Sequence, residues 1–316
     1  MGVEEHVVVV LNFHGRDDTE RCVASLVEGS PEAAVLVVDN GSHDGIVASV
    51  ERRWPGVRTI QNQDNLGFAG GMNTGLRWAI GNGAKTVTVL NNDTIIPRGA
   101  IAALAAAASG GRAVSPEVHY ADGSDEVWFG GGAIDDRTGL ARHLSNAELV
   151  HAPRDASGRR PTDVLAGCCV TAEADTWLRV GLFDERYFLN FEDSDWSLRA
   201  RAAGVDLFVD QGIVIHHEVS ASFTGAYSYL GLFYYSRNGL LFIRDRINGS
   251  LLQRCRFLRH HVAPDPVGRW RRGQRRDAAR RAAVVAVAVC CQLRHRYGRA
   301  PRWLEQQAGR WSSGRR

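Results

Sequence analysis

The spacing of apolar and polar residues sets out a regular alternation over the first 110 residues. Val7-Val8-Val9-Val10-Leu11 is an unbroken, mostly β-branched apolar run, which predicts a buried strand. Asn12-Phe13-His14-Gly15 ends it, and Asp17 or Asp18 can cap a helix running to about Glu28. Ala34 to Val38 repeats the strand pattern and stops at Asp39-Asn40-Gly41-Ser42-His43-Asp44-Gly45. A helix to Trp54 and a short strand near Val57 to Ile60 follow. This strand–helix alternation predicts a right-handed, parallel, nucleotide-binding type of α/β layout.

The next stretch, Asn65-Leu66-Gly67-Phe68-Ala69-Gly70-Gly71-Met72-Asn73-Thr74-Gly75, is glycine-rich. Such density means positive φ or close backbone approach. A helix from about Gly70 to Asn82 would then offer N–H groups to a phosphate, or simply pack tightly on the sheet. Thr86 to Leu90 is another apolar, β-branched strand, and it ends abruptly in Asn91-Asn92-Asp93. In open α/β sheets the carboxyl edge is where ligands bind. A carboxylate there can hold a hard divalent cation, and the cation a diphosphate. The plainer reading is a strand followed by an Asn/Asp turn.

Beyond an Ala-rich helix from Gly99 to Ala108, the pattern from Arg112 to Pro161 loosens into short β-like runs, with a loop expected at Ala156 to Pro161. Val164 to Val170 reads as a strand or turn, and Ala172 to Val180 as a helix closed by Gly181. Phe191-Glu192-Asp193-Ser194-Asp195-Trp196 then opens a helix that ends at Gly204. Its acids can serve the helix dipole, and Asp195 with Arg199 is an i,i+4 pair. Their aromatic setting also suits a cleft. Leu207 to Val209 and Ile213 to Ile215 read as two short strands, the second delivering His216 and His217. Tyr229 to Asp245 is an aromatic-rich helix carrying Arg237-Asn238, and a last helix spans about Arg276 to Tyr297.

Charge divides the chain. The net charge over 316 residues is +3, yet residues 254 to 316 hold 17 Arg against 3 acids. That balance of +14 leaves the first 253 residues at −11, so an acidic body carries a basic tail. The tail suits an anionic membrane surface or a solvated helical appendage; no nucleic-acid partner is expected. Six cysteines include two adjacent pairs and no C-x-x-C, neither a zinc pattern nor a disulfide framework. The longest apolar run, Ala282 to Cys291, is about half a membrane span, and no signal peptide is visible. The expected location is the cytoplasm, including the inner face of the membrane.

In order and spacing these pieces resemble family 2 glycosyltransferases of the GT-A fold, especially rhamnosyltransferase-like and galactofuranosyltransferase-like members. The resemblance covers most of residues 5 to 246. It rests on Val38 to Gly45, Asn65 to Gly75, Leu90-Asn91-Asn92-Asp93, Gly181-Leu182-Phe183-Asp184-Glu185, Phe191 to Asp195 and His217-Glu218-Val219-Ser220-Ala221-Ser222. Met72 departs from the family's common Asn, and the first two D-x-D positions are amides.

The resemblance implies a Rossmann-like, mostly parallel sheet flanked by helices over residues 1 to 250, with nucleotide-sugar and acceptor halves at about 1–110 and 111–250. Residues 251 to 316 form a basic helical extension. It implies an inverting, Mg- or Mn-dependent transfer from a dTDP- or UDP-linked sugar. The acceptor would be a glycan, a lipid-linked sugar or a small natural product, in cell-surface glycan or natural-product biosynthesis. Asp39 looks like the contact to the base, and Asp93 with His217 like the metal ligands, His216 standing beside them. Asp193 looks like the catalytic base, with Glu192 next to it. Asn12, Asn40, Ser42, Asn65, Gly70, Asn73 and Asn92 fall in the donor-binding motifs, and Arg237 is expected to face the diphosphate.

Three other readings are weaker. A sugar nucleotidyltransferase needs a Gly- and Arg-rich loop where Asn12-Phe13-His14-Gly15 stands. An oxidoreductase needs G-x-G-x-x-G. A non-catalytic nucleotide-sugar or carbohydrate-binding protein has no need of intact Asp93, Asp193 and His217.

Overall fold

A computed structural model describes residues 5–124, 126–135, 137–218, 228–247 and 249–313. These fall into two compact units. The first takes residues up to Ile134, then Ala141–Asp184, then Glu192 to residue 218.

Its elements begin with β1 (His6–Asn12), α1 (Arg16–Gly29), β2 (Ala34–Asp39), α2 (Ile46–Arg53), β3 (Arg58–Gln61), α3 (Gly67–Gly81) and β4 (Thr86–Asn91). They continue with β5 (Thr94–Ile95), α4 (Ala100–Ala108), β6 (Ala113–Tyr120), β7 (Val127–Phe129), β8 (Gly132–Ile134) and β9 (Ala141–His143). Then come α5 (Asn146–His151), β10 (Arg160–Pro161), β11 (Cys169–Glu173), α6 (Ala174–Val180), α7 (Glu192–Ala202) and β12 (Leu207–His217). The main sheet runs β10-β12-β6-β11-β4-β1-β2-β3, with β5 added to β12 and β7 to β6. It is parallel through β4, β1, β2 and β3 and between β6 and β12. β11 lies antiparallel between β4 and β6.

Strand alternation sorts the core onto two faces. Val8 and Val10 meet Cys22, Val23 and Leu26 of α1 and Leu104 of α4. Val7, Val9 and Leu11 turn the other way, against Met72 and Leu76 of α3, Trp177 and Trp196. The runs are apolar throughout because both faces are covered.

The glycines of α3 serve packing. A Cβ at Gly71 would lie 2.5 Å from Leu11 Cδ1 and 2.9 Å from Asn40 Nδ2, and one at Gly75 2.2 Å from Val9 Cγ1. The phosphate alternative weakens further because the first amides are occupied. Gly67 N–H donates to Asn65 Oδ1 at 2.8 Å and Leu66 N–H to Asn40 Oδ1 at 3.1 Å.

Several element boundaries differ from the sequence reading, three of them beside the antiparallel part of the sheet. The two short strands expected at 207–209 and 213–215 are one strand, β12, whose pairing with β6 shifts register between Asp210 and Val214. Ala172 belongs to β11, and the following helix starts at Ala174. Arg160–Pro161 forms a short strand on β12 where a loop was expected.

The second unit comprises Asp135–Leu140, Glu185–Phe191 and the described residues from 228 onward. Helix Tyr229–Arg246 is joined in it by helices Leu251–Phe257, Pro264–Arg271, Arg275–Leu293 and Arg302–Ser313. Asp265 and Asp277 pair with Arg269 and Arg281, and Glu305 with Arg299 at 2.9 Å. Trp270 and Trp303 are exposed. No described helix is long and apolar enough to cross a membrane.

Candidate active site

Register brings the polar strand ends together. Asn12 of β1 pairs with Asp39 of β2, Asp39 with Gln61 of β3, and Leu11 with Asn91 of β4. The carboxyl edge of the first unit's sheet therefore carries a polar row, as the abrupt strand endings predicted.

Asp39 is the hub at one end. Its carboxylate accepts from Asn12 Nδ2 at 3.1 Å, the N–H groups of Ser42 and His43 at 3.2 Å, Gln61 Nε2 at 2.8 Å, and the Ser42 hydroxyl. Burial alone would raise this carboxyl. The bonds from Ser42, Gln61 and Asn12 outweigh burial and hold it below its ordinary value. The side chain is sealed from water, and the donors that surround it win over burial. Of the side chains that bond it, Gln61 alone is exposed and is the one a ligand can displace. Asn12 Nδ2 also donates to Ser42 Oγ at 2.9 Å and to Asp44 at 3.2 Å.

Other expected donor-binding residues are spent on architecture. Asn40 Nδ2 donates to Asn65 Oδ1 at 3.1 Å and Gly67 O at 2.9 Å. Asn92 Nδ2 ties the end of β4 to Thr19 Oγ1 at 2.9 Å and Gly15 O at 3.2 Å. Asn73 is buried and clamps both backbone polar groups of Phe183, at 2.9 and 3.0 Å, so its amide faces the protein and not a nucleotide. Gly70 is buried within α3, its carbonyl taken by Thr74 Oγ1 at 3.1 Å.

Arg237, expected at the diphosphate, makes contacts within its own unit. It is buried in the second unit, its Nε on Asn238 Oδ1 at 2.9 Å and its guanidinium over Phe233 and Tyr234. Burial lowers its pKa to about 10. Asn238 in turn donates to the carbonyls of Tyr187, of Leu189 at 2.8 Å and of Asn190 at 3.3 Å. It pins a turn in which Phe188, Asn190 and Phe191 all have positive φ. Left-handed backbone at three non-glycine residues holds only where the surroundings impose it.

The other end of the row holds Asp93 and His217. β5 pairs antiparallel with the end of β12, matching Thr94 with His217 and placing Asp93 beside the ring. His217 Nε2 lies 2.9 Å from Asp93 Oδ1, and both side chains are buried. His216, one residue back, points to the opposite face as strand geometry requires, its ring against His119. Of the two histidines, His217 is thus the one that meets Asp93. Ser220 and Ser222 lie outside the described residues.

This pair suits a divalent cation chemically. One carboxylate oxygen and one imidazole nitrogen are donors that Mn²⁺ accepts readily, whereas Mg²⁺ favours all-oxygen shells. His217 Nδ1 has no hydrogen-bond partner. Among the described residues no group of three or more His, Cys, Asp or Glu could hold a metal ion. Two protein ligands fit a cation whose remaining shell comes from a diphosphate and water.

Asp193, in the first turn of α7, accepts from Gly167 N–H at 3.1 Å and Ser194 N–H at 2.6 Å. Next along the chain, Cys168 O accepts from Asn91 N–H at 2.8 Å, so the 167–168 segment spans from Asp193 to the end of β4. Burial first, then the charges of Cys169, Asp93 and Asp193, push the Cys168 thiol well up; both carboxylates act on one group. Glu192 is buried with Oε2 unpartnered. Burial, reinforced by the charges of Asp193 and Asp195, pushes its carboxyl up to about 8. Asp195 turns away to Arg199 at 2.9 Å, as its spacing predicts, and Arg199 also binds the carbonyls of Val180, Gly181 and Leu182.

Sequence reasoning missed four residues here. Asp44 stood in the motif after β2, and Gln61 was findable as the residue ending β3. Trp128, whose ring lies edge-on to His217 at 4.6 Å, and His143, edge-on to Trp128 at 5.0 Å, carried no signal, because tertiary pairing of the short strands β7 and β9 places them.

The family model described as "Glycosyl transferase family 2" matches residues 7–164. An N-acetylglucosaminyl-diphospho-decaprenol L-rhamnosyltransferase of Mycobacterium tuberculosis is 29% identical over 267 residues, 77% of this chain and 85% of the relative. The low-salt glycan biosynthesis hexosyltransferase Agl10 of Haloferax volcanii is 23% identical over 63% of this chain and 62% of its own. Among solved structures, the mannosyltransferase PcManGT of Pyrobaculum calidifontis, in complex with GDP-Man and Mn²⁺, superposes with a TM-score of 0.58 at 15% identity. It spans 98% of this chain and 79% of its own. GalNAc-T7 with UDP, GalNAc and Mn²⁺ gives 0.57 at 15% identity over 81% of this chain, which spans about half (54%) of that structure. Both structures support the GT-A fold.

Proposed function

The chain belongs to glycosyl transferase family 2, and we propose that it moves a hexosyl or rhamnosyl-type group from a dTDP- or UDP-linked donor to an acceptor hydroxyl, with inversion. The observation that carries this reading is the buried Asp93–His217 pair, 2.9 Å apart at the carboxyl edge of the sheet. The Asp39 cluster at the far end of the row would hold the base and ribose. A divalent cation, Mn or Mg, held by Asp93 and His217 would supply Lewis-acid stabilisation of the leaving diphosphate's charge.

The protein's own groups do the rest. Asp193 takes the proton of the acceptor hydroxyl. The freed oxygen forms a bond to the anomeric carbon from the face opposite the diphosphate. The bond from that carbon to the diphosphate oxygen breaks, and the configuration inverts. Gly167 and Ser194 orient the Asp193 carboxylate toward this task. Glu192, kept protonated by burial, lies beside it as a neutral acid and not as a competing charge.

For the acceptor, the mycobacterial relative's name specifies a lipid-linked sugar. The Arg-rich second unit with exposed Trp270 and Trp303 supports the same class, at an anionic membrane surface. The test is donor turnover across dTDP-, UDP- and GDP-sugars with and without Mn²⁺. Parent protein should turn over at least one donor only with the metal, and Asp93→Ala should abolish that activity while remaining folded. Activity surviving both EDTA and Asp93→Ala would overturn the assignment.

A further inference from the structure

His143 occupies a position that the donor chemistry leaves unused. It ends β9, with its ring edge-on to Trp128 at 5.0 Å and to Phe129 at 5.0 Å. Trp128 in turn sits edge-on to His217 at 4.6 Å. Three rings thus run outward from the Asp93–His217 pair. The imidazole's protonation pattern is fixed by one bond: Nδ1 lies 3.0 Å from the Trp128 carbonyl oxygen. A carbonyl can only accept, so Nδ1 carries the hydrogen and Nε2 of the neutral ring is left with a bare lone pair. Burial lowers the ring's pKa, and the bond to Trp128 and the nearby charge of Asp193 only partly offset this. The residue keeps part of its surface exposed to solvent.

A neutral imidazole acceptor within the field of the Asp193 carboxylate, and one ring removed from the cation ligands, is placed for a hydroxyl of the molecule being glycosylated. We propose that His143 Nε2 accepts a hydrogen bond from a second hydroxyl of the acceptor, neighbouring the one that Asp193 deprotonates. His143 is then an acceptor-positioning residue, and it selects for polyhydroxylated acceptors such as a sugar ring over simple alcohols. The inference rests on the glycosyl-transfer reading above.

Its test compares parent, His143→Phe and His143→Gln. Phenylalanine keeps the ring contacts with Trp128 and Phe129 and removes Nε2; glutamine restores an acceptor. With a panel of methyl glycosides as acceptors, His143→Phe should raise the half-saturating glycoside concentration about fivefold, the size of one neutral hydrogen bond. The half-saturating donor concentration should stay within about twofold, and His143→Gln should recover most of the loss. Equal acceptor saturation in parent and His143→Phe, or donor and acceptor saturation rising together, would overturn the proposal. A parent that turns over no nucleotide sugar overturns the glycosyl-transfer reading instead. Imidazole ¹⁵N spectra then decide the subsite alone: the Nε2 signal absent from His143→Phe should move on titration with methyl N-acetylglucosaminide, and a fixed signal refutes it.

Discussion

The contact between α3 and the sheet allows a prediction whose sign differs at two glycines of one helix. A Cβ at Gly75 would stand 2.2 Å from Val9 Cγ1, 3.1 Å from Val9 Cγ2 and 3.2 Å from Val38 Cγ2. Both valines are fully buried in neighbouring strands, so relief requires lifting the helix off the sheet. Overpacking of this kind costs about 1–3 kcal/mol. The better helix propensity of alanine returns about 1 kcal/mol, leaving Gly75→Ala less stable by up to about 2 kcal/mol. Gly81 ends the same helix with no positive φ, and a Cβ there meets nothing within 4 Å. Gly81→Ala should therefore gain up to about 1 kcal/mol. Urea unfolding followed by circular dichroism should move the two midpoints in opposite directions with unchanged slopes. A Gly75→Ala midpoint at or above the parent's would refute the packing account and return these glycines to a ligand-binding role.

Asp193→Asn should lower transfer by about 10²–10⁴-fold with donor affinity nearly unchanged; transfer near the parent rate would move the base to Glu192. For Glu192 the folded pKa of about 8 lies well above the ordinary glutamate value of 4.5. Its contribution is therefore intact below the lower value and is lost as pH rises toward 8. Glu192→Gln should remove that loss, so its melting temperature relative to the parent should climb from pH 5 to pH 8; parallel profiles would refute it. Asp195→Asn removes the buried carboxylate that faces Arg199, while Arg199 keeps its three carbonyl bonds, and should cost about 1–3 kcal/mol, read by chemical denaturation. The basic second unit should sediment with anionic liposomes at low salt and release at high salt; no binding would favour a soluble acceptor.

Much of this was legible in the sequence because the nucleotide-side strands are buried on both faces and read as uninterrupted apolar runs. Val7 to Leu11, Ala34 to Val38 and Thr86 to Leu90 each end at a polar cluster, and register then aligns those ends. Legibility failed where tertiary pairing overrides local pattern. Asp210-Gln211-Gly212 breaks the apolar run of β12, with Gly212 N–H on Asp210 Oδ1 at 3.0 Å, yet β6 holds the strand together across the shift. The amide side chains are harder to read for another reason. Asn40, Asn73 and Asn92 follow the donor-site motifs, but an asparagine can serve backbone as well as ligand, and spacing does not say which. Nothing in the run from Arg112 to Pro161 marked Trp128 or His143.

The Asp93–His217 contact joins residues 124 positions apart. During synthesis, β1 to β4 and the Asp39 cluster leave the ribosome long before His217 exists. A nascent chain could therefore gather the Asp39 cluster well ahead of the Asp93–His217 pair. Completion of β12 is what brings His217 to Asp93. The pair is thereby withheld until most of the chain has been made, and any product of early termination before residue 217 would lack it altogether. A cation shared by the two segments would also fasten a very long loop, so metal supply would report on, and support, the finished sheet.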